Sequence, residues 1–338
     1  MTSNKILFVL QKRNDAIGIV DNSVINELLK VNHNFEFFYL KEKGYKKYEI
    51  IGNYIFNIVS LLLKSIIYNK IYFSWENPYV IFVKFFFPWK KIYMCVMHVE
   101  DYWGKTLIGK LIFKSVSKFI VISEFTKNQL LEYGIKSDNI FVNYLGISSN
   151  YYPENISNFT DFDFILYVGT ELERKNIKNL LLAFNEVIKK YPKLKLIKIG
   201  KPVIGKETTD NLVNELGLKD NIIFKREFIS EFELRKYYSN SICYISVATL
   251  EGFGMTVPEA MSCGCPVVVS DIGPFNEIVL KSQVIVNPYD IKSIKEGILK
   301  YINDKDFRNK MIDEGLINSK RFNWKTNANK IINILNNY

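Results

Sequence analysis

Short apolar runs recur along the whole sequence and constrain its fold more than any other feature. The runs are continuous rather than alternating with polar residues, which is typical of parallel strands whose two faces are both covered by helices. Stretches with helical apolar spacing, such as 179–191, 234–238 and 258–261, lie between runs. We therefore predict an α/β fold with strands at 6–10, 35–40, 71–73, 92–97, 119–122, 140–144, 164–168, 195–199, 222–224, 243–247, 267–270 and 284–286.

The chain is long for a single hydrophobic core, since 338 residues favour two domains of roughly 150 residues each. Residues 146–162 are rich in Ser, Asn and Pro and predict a linker. The strand and glycine turn that follow, FILYVGTELERKN, can begin a second doubly wound sheet. We predict domains at 1–155 and 156–338, with the last helix a candidate for packing back on the first domain. Ligands of such sheets bind at the carboxyl ends of the parallel strands.

The turn YVGTELERKN carries two cations at one of these strand ends. Arg174 and Lys175 directly precede a helix that is predicted to start near Ile177. Cations beside a helix N-terminus can bind a diphosphate, because side-chain charge and free backbone amides act together. The alternative is a solvated loop in which Glu171 and Glu173 neutralise the two cations.

The segment EGFGMTVPEA places two carboxylates on a glycine-bearing loop and the helix after it. Gly252 and Gly254 permit positive φ and a close approach of the backbone to a ligand, and Pro258 is predicted as the first helical residue. Glu259 then lies in the first helical turn, as a partner of the helix dipole or of a ribose diol. Glu251 lies on the loop and is the better candidate for touching a transferred group.

These segments resemble glycosyltransferase family 4, which comprises retaining sugar-nucleotide transferases with the GT-B fold. Glu251 and Glu259 form an E-x7-E pattern, YVGTELERKN is similar to the family's phosphate-binding turn, and VISEFTKNQLLEYG is similar to its last N-terminal strand and helix. The resemblance implies two Rossmann-like domains whose parallel sheets face each other across a cleft. The first domain would bind the acceptor and the second the sugar nucleotide.

The resemblance also implies roles for individual residues of the second domain. Arg174 and Lys175 would bind the donor diphosphate, Glu251 would bond hydroxyls of the donor sugar in a catalytic role, and Glu259 would bind the ribose hydroxyls. Further donor contacts are expected on the loop and helix start (backbone amides of Gly252, Phe253, Gly254, Met255 and Thr256) and around the base (Gly200, Phe228 and Ile229).

In the first domain the resemblance implies two site residues. Gly18 matches the loop after the first strand, which faces the donor phosphates and the acceptor. His98 closes the strand IYMCVMH and matches the family's catalytic cleft histidine. The implied activity is a retaining transfer of a hexose from a UDP- or GDP-sugar to a glycan, lipid-linked or protein-linked acceptor. The alternatives are a sugar-nucleotide epimerase, a glycoside phosphorylase and a nucleotide-sugar-binding subunit without catalysis.

No metal ion or other cofactor is expected. A GT-B site neutralises the leaving diphosphate with cations and helix-terminal amides. Asp161 and Asp163 form a D-x-D that lies in the linker, away from the carboxyl end of any strand. Cys263 and Cys265 have no second ligand pair, because the chain contains two histidines. The four cysteines all lie in apolar runs and predict reduced thiols in the cytoplasm.

Charge is concentrated in the first half, where residues 1–150 hold 19 Lys and Arg against 12 Asp and Glu. Such a balance favours an anionic partner, either a phosphate-bearing substrate or the cytoplasmic face of a membrane. The positive residues are scattered, so no nucleic-acid partner is expected. No transmembrane span is predicted. The most apolar segment, 78–98, is interpreted either as a short buried helix followed by a buried strand or as a helix that contacts a bilayer surface.

Overall fold

The computed structural model describes residues 5–11, 16–31, 35–41, 47–97, 99, 106–154, 156–202 and 209–338. Every predicted strand is present there, with ends that differ from the prediction by at most two residues. The strands are β1 Ile6–Gln11, β2 Phe35–Leu40, β3 Lys70–Phe73, β4 Lys91–Val96, β5 Lys118–Val121, β6 Ile140–Val142, β7 Phe164–Val168, β8 Lys195–Ile199, β9 Ile222–Lys225, β10 Tyr244–Ser246, β11 Val267–Ser270 and β12 Val284–Val286.

The strands form two parallel six-stranded sheets, so the predicted α/β class is confirmed. The first sheet has the order β2-β1-β3-β4-β5-β6 and the second the order β12-β11-β10-β7-β8-β9. In the first, Ile6 is in register with Phe35 on one side and Lys70 on the other. In the second, Phe164 is in register with Lys195. Most strand residues are fully buried, which explains why the runs are continuously apolar.

Helices connect the strands in the described residues. They are α1 Ala16–Leu29, α2 Lys47–Ile67, α3 Tyr79–Phe86, α4 Leu107–Ser115, α5 Glu124–Glu132, α6 Ile177–Ile188, α7 Thr209–Glu215, α8 Glu231–Asn240, α9 Thr256–Ser262, α10 Gly273–Val279, α11 Ile291–Asn303, α12 Lys305–Ser319 and α13 Trp324–Asn337. Side-chain caps fix several of the starts, as where Ser123 accepts from the amide of Thr126 at α5.

The chain divides into two compact units, Met1–Gly146 with Asn323–Tyr338, and Ile147–Phe322. The last helix, α13, therefore belongs to the first unit. It packs against α1, and Lys70 donates to the backbone carbonyls of Leu335 and Asn336 near the end of the chain. The binding roles predicted for the two domains stay predictions.

The segment predicted as a linker is packed on the second unit. Arg235 of α8 forms an ion pair with Glu154, with its Nη2 2.6 Å from Oε2, and also donates to the carbonyl of Asn150. Glu231 at the start of α8 accepts from Ser148 and Asn150. The polar composition of this segment thus serves hydrogen bonds to α8.

One helix bears on the prediction that no segment spans a membrane. Within the described residues, one helix is long and apolar enough to cross a membrane, at Glu49–Ile67 in α2. Glu49 and Lys64 flank the apolar part of α2, so its uncharged run is shorter than eighteen residues. Length and composition alone do not distinguish a spanning helix from one that lies on a domain surface.

Candidate functional site

Two glycines meet at the carboxyl ends of β7 and β8. Gly200 has φ +124°, and a Cβ atom on it would lie 2.4 Å from the carbonyl oxygen of Gly169. No other residue fits there without a shift of the backbone. This contact holds the turn after β7 against the end of β8.

The turn after β7 is a single 3-10 turn, Glu173–Lys175, which ends at Asn176. Asn176 adopts a left-handed conformation with φ 55°, and α6 begins at Ile177 as predicted. The side-chain amide of Asn176 donates to the carbonyls of Val247 and Pro288, at 3.0 and 2.7 Å. The turn is thereby fixed to the segments that follow β10 and β12.

Arg174, Lys175 and Glu251 form one ionic cluster. Nη1 of Arg174 lies 3.1 Å from Oε2 of Glu251, and Lys175 is bonded to Oε1. Only 9% of the Glu251 side chain is exposed, against 43% for Arg174 and 20% for Lys175. The two predicted diphosphate-binding cations and the predicted sugar-binding acid are therefore brought together. The alternative, in which Glu171 and Glu173 neutralise the cations, is wrong for this structure.

Backbone contacts hold the Glu251 loop against the same turn. The amide of Thr249 donates to the carbonyl of Arg174 at 2.8 Å, and Arg174 Nη1 donates to the carbonyl of Leu250 at 3.1 Å. These two bonds attach the loop directly to the turn beside the ionic cluster.

Of the two glycines in the loop, only Gly254 has positive φ, at +85°. A Cβ atom there would lie 2.4 Å from Cε1 of Phe275, so the position requires glycine. The expectation of positive φ at Gly252 is wrong. Gly252, Met255 and Thr256 are half-buried, whereas Phe253 is buried and packs edge-on against Phe322 with ring centroids 5.6 Å apart.

Helix α9 begins at Thr256, two residues before the predicted start at Pro258. The hydroxyl of Thr256 lies 2.7 Å from that of Tyr244, which ties the helix start to β10. The amides of Val257 and Glu259 donate to the carbonyls of Gly254 and Met255. These two amides are therefore used within the turn.

Glu259 lies in the first turn of α9, as predicted, and faces α8. Its carboxylate accepts a long hydrogen bond of 3.4 Å from the hydroxyl of Tyr238. Part of the residue remains accessible to solvent, but burial of the carboxylate raises its pKa to about 7. The negative charge of Glu231 acts in the same direction, while the bond from Tyr238 opposes it. Glu259 is poised to change charge near neutral pH.

We predict that Glu259 makes folding stability fall as pH rises from about 4.5 to above 7. A carboxyl whose pKa is higher in the folded than in the unfolded chain holds its proton more tightly when folded, so its stabilising contribution is lost on ionisation. Between pH 5 and pH 8 the free energy of unfolding of Glu259→Gln should therefore decline less than that of the wild type, by up to about 3 kcal/mol. Urea titrations at several pH values would measure this difference, with the exposed Glu233→Gln as the control. Parallel pH profiles for wild type and Glu259→Gln would contradict the prediction.

The residues predicted to surround the base lie at the ends of two neighbouring strands. Gly200 follows β8, and Phe228 and Ile229 lie in the segment that follows β9. The ring of Phe228 is 88% exposed, and Ile229 is half-buried. An exposed aromatic ring beside a glycine turn offers a surface on which a base can stack.

A buried ion pair beneath this region was missed at the sequence level. Nζ of Lys198 in β8 lies 2.8 Å from Oε1 of Glu171 and 2.6 Å from the carbonyl oxygen of Gly200. The other carboxylate oxygen of Glu171 accepts from the amide and hydroxyl of Thr209. Burial alone would raise the pKa of Glu171, but the bonds from Lys198 and Thr209 outweigh it and lower that pKa. The pair fixes the turn after β7 to the end of β8.

The two predicted sites of the first domain remain predictions. Gly18 lies in the first turn of α1 rather than in a loop, because the helix already starts at Ala16, and it is buried there. This corrects the expected conformation of that segment. His98 falls outside the described residues.

A sequence model of the family described as glycosyl transferases group 1 matches residues 152–317. The chain is 28% identical over 253 residues to O-antigen chain mannosyltransferase B of Escherichia coli, covering 70% of this chain and 65% of the relative. It is 26% identical over 239 residues to the serotype-specific mannosyltransferase WbdA of the same organism, covering 65% of this chain and 29% of the relative. The matches thus span less than two thirds of the length of either relative.

Solved structures resemble the chain over its full length. HepE of Anabaena, crystallised in complex with UDP and glucose, superposes with a TM-score of 0.78 at 17% identity, covering 99% of this chain and 100% of that one. Sucrose-phosphate synthase of Thermosynechococcus elongatus gives a TM-score of 0.79, also at 17% identity, with 98% of each chain covered. These likenesses confirm the predicted GT-B fold.

Proposed function

Because the model of the group 1 glycosyl transferases matches residues 152–317, we propose that the chain belongs to this family and transfers a hexose from a UDP- or GDP-sugar to an acceptor hydroxyl. The observation that carries this proposal is the cluster of Arg174, Lys175 and Glu251, which combines two cations and one carboxylate where β7 and β10 end. A diphosphate needs the cations, and sugar hydroxyls need an acceptor such as the carboxylate.

The reaction would use the cluster in two ways. As the bond between the sugar and the diphosphate breaks, negative charge develops on the leaving oxygen, and Arg174 and Lys175 stabilise it. Glu251 accepts hydrogen bonds from sugar hydroxyls and orients the ring for attack by the acceptor oxygen. Because two cations supply the charge stabilisation, we propose that the transfer runs without a metal ion. We propose retention at the anomeric carbon from the resemblance to a retaining family alone.

Three proteins similar to this chain bear on the donor and the acceptor. Both Escherichia coli relatives are named mannosyltransferases, which favours mannose as the sugar, and one is named for the O-antigen chain, which favours a glycan as the acceptor. The HepE complex favours UDP and glucose instead. We propose a polysaccharide or lipid-linked glycan as the acceptor. We propose either GDP-mannose or UDP-glucose as the donor.

The identity of the donor is tested by thermal shift and nucleotide release across common sugar nucleotides. We expect one of the two donors to raise the melting temperature of the protein. With that donor, the nucleoside diphosphate should be released once a glycan acceptor is added. Product that appears only with orthophosphate would indicate a phosphorylase, and interconversion of the donor without acceptor would indicate an epimerase. Binding of every donor without turnover on any acceptor would contradict the proposed transfer.

A further inference from the structure

Exposed large apolar side chains are concentrated on one part of the first unit. Of the 29 exposed ones in the described residues, 15 lie at 50–67, 85–89 and 107–111. We call these 15 side chains the α2–α4 surface. Isolated exposed apolar residues are normal for a soluble domain, but a cluster of this size marks an interaction site.

The three helices of this surface are neighbours, since α3 packs against both α2 and α4. The chain segments 49–97 and 106–118 contain eight lysines and two acids, Glu49 and Glu76, and of these lysines Lys90 is buried and Lys64 pairs with Glu36. Lys110 and Lys114 of α4 are exposed beside Leu107 and Leu111, and the Nζ of Lys41 lies 3.7 Å from the centroid of the Phe56 ring. Apolar side chains are thus interleaved with cations.

Helix α2 is docked to the first unit along one stripe. Asn57, Leu61 and Ser65, spaced four residues apart, are almost completely buried. The side-chain amide of Asn57 accepts from the amide of Lys41 at 2.9 Å and donates to the carbonyl of Lys41 and the hydroxyl of Tyr79. A membrane-spanning orientation would have to break these bonds, so α2 lies on the surface of the unit with its other face outward.

We propose that the α2–α4 surface binds the interfacial region of an anionic lipid bilayer, with α2 lying in the membrane plane. Apolar side chains enter the boundary between headgroups and acyl chains, and lysines beside them attract anionic headgroups. Trp89, which is 70% exposed beyond α3, is a residue type enriched at this depth. Self-association through the same surface is disfavoured, because a two-fold contact would oppose one lysine-rich surface with another.

The test is cosedimentation of the full chain with phosphatidylcholine vesicles that contain or lack phosphatidylglycerol. We expect binding to the anionic vesicles that weakens with salt. The triple variant Ile55→Ser, Leu63→Ser, Ile66→Ser should bind about tenfold more weakly, because three side chains leave the bilayer. The matched control, Leu29→Ser, Tyr289→Ser, Ile317→Ser, alters exposed apolar residues elsewhere and should bind as the wild type does.

A second pair of variants protects the test against a folding failure. Phe85→Ser with Trp89→Ser should weaken binding to both vesicle types, and Lys110→Gln with Lys114→Gln only to the anionic ones. Wild-type protein that stays in the supernatant, or a triple variant that binds like the wild type, overturns the proposal. So does a dimer in light scattering that the triple variant converts to monomer. Affinity for soluble nucleotide should be the same in all variants, which separates this surface from the proposed transferase site.

Discussion

Replacing Glu251 by alanine should abolish sugar transfer while the chain keeps its fold. The carboxylate is almost completely buried beside two cations, and no other acid contacts them in the described residues. Its loss removes the acceptor for the sugar hydroxyls, and we expect turnover to fall by at least about 100-fold. The melting temperature should change little, because the cations it leaves unpaired are partly exposed and can be hydrated.

In Glu251→Ala, turnover should fall, whereas affinity for free nucleoside diphosphate should be unchanged or higher. Glu251 holds Arg174 and Lys175, so a diphosphate has to compete with the carboxylate for them. Without it, UDP or GDP should bind as tightly as before or several-fold more tightly, since a negative charge near the phosphates is gone. Titration calorimetry with the nucleotide, alongside turnover assays, measures both effects on the same variant.

Two controls sharpen this result. Glu251→Gln keeps the shape and one acceptor but removes the charge, so it should release the cations while retaining more turnover than alanine. Glu296→Ala removes an acid that is 61% exposed and pairs only with Lys292 among the described residues, and it should leave both measurements unchanged. A fully active Glu251→Ala enzyme would remove the residue from the site.

The strands could be predicted from the sequence because their signal is local. A run such as 164–168 or 267–270 is apolar on both faces, and parallel pairing is the arrangement that buries both. The turn before α6 was equally visible, since the helix start at Ile177 follows a glycine and two cations. These features depend on neighbours in the chain and not on contacts made across the fold.

The pairing inside the site could not be read in the same way. Glu251 and Lys175 are 76 residues apart, and the sequence assigned each to a different part of the ligand. Their ion pair is a tertiary contact, which has no local pattern. The same holds for Glu171, which was considered a partner of the neighbouring cations and instead bonds to Lys198.

A signal for Lys198 was nevertheless present. The run KLIKI places Lys198 between two isoleucines in the buried part of the strand, and a charge buried at that position needs a partner. For α2 the missing information was which face is buried. The burial of Leu61 and Ser65 and the bonds of Asn57 to Lys41 and Tyr79 indicate a docked helix.

The second large effect is expected from Lys175→Ala. Lys175 is one of the two cations held by Glu251, and its loss should weaken binding of the nucleoside diphosphate by about ten- to a hundredfold, the value of one charge-assisted contact. Turnover should fall further, because the charge on the leaving diphosphate is greater in the transition state than in the bound donor. Lys189→Ala, which removes a lysine that is 64% exposed, should alter neither.

The double variant Lys175→Ala, Glu251→Ala separates an electrostatic cluster from two independent contacts. In Lys175→Ala the carboxylate of Glu251 still lies beside the diphosphate site, now with Arg174 as its only partner of the cluster. Removing the carboxylate as well should therefore restore part of the nucleotide affinity, whereas turnover should stay at the level of Glu251→Ala. If the double variant binds nucleotide no more tightly than Lys175→Ala does, Glu251 does not compete with the diphosphate. Unchanged turnover in Lys175→Ala would refute the diphosphate assignment itself.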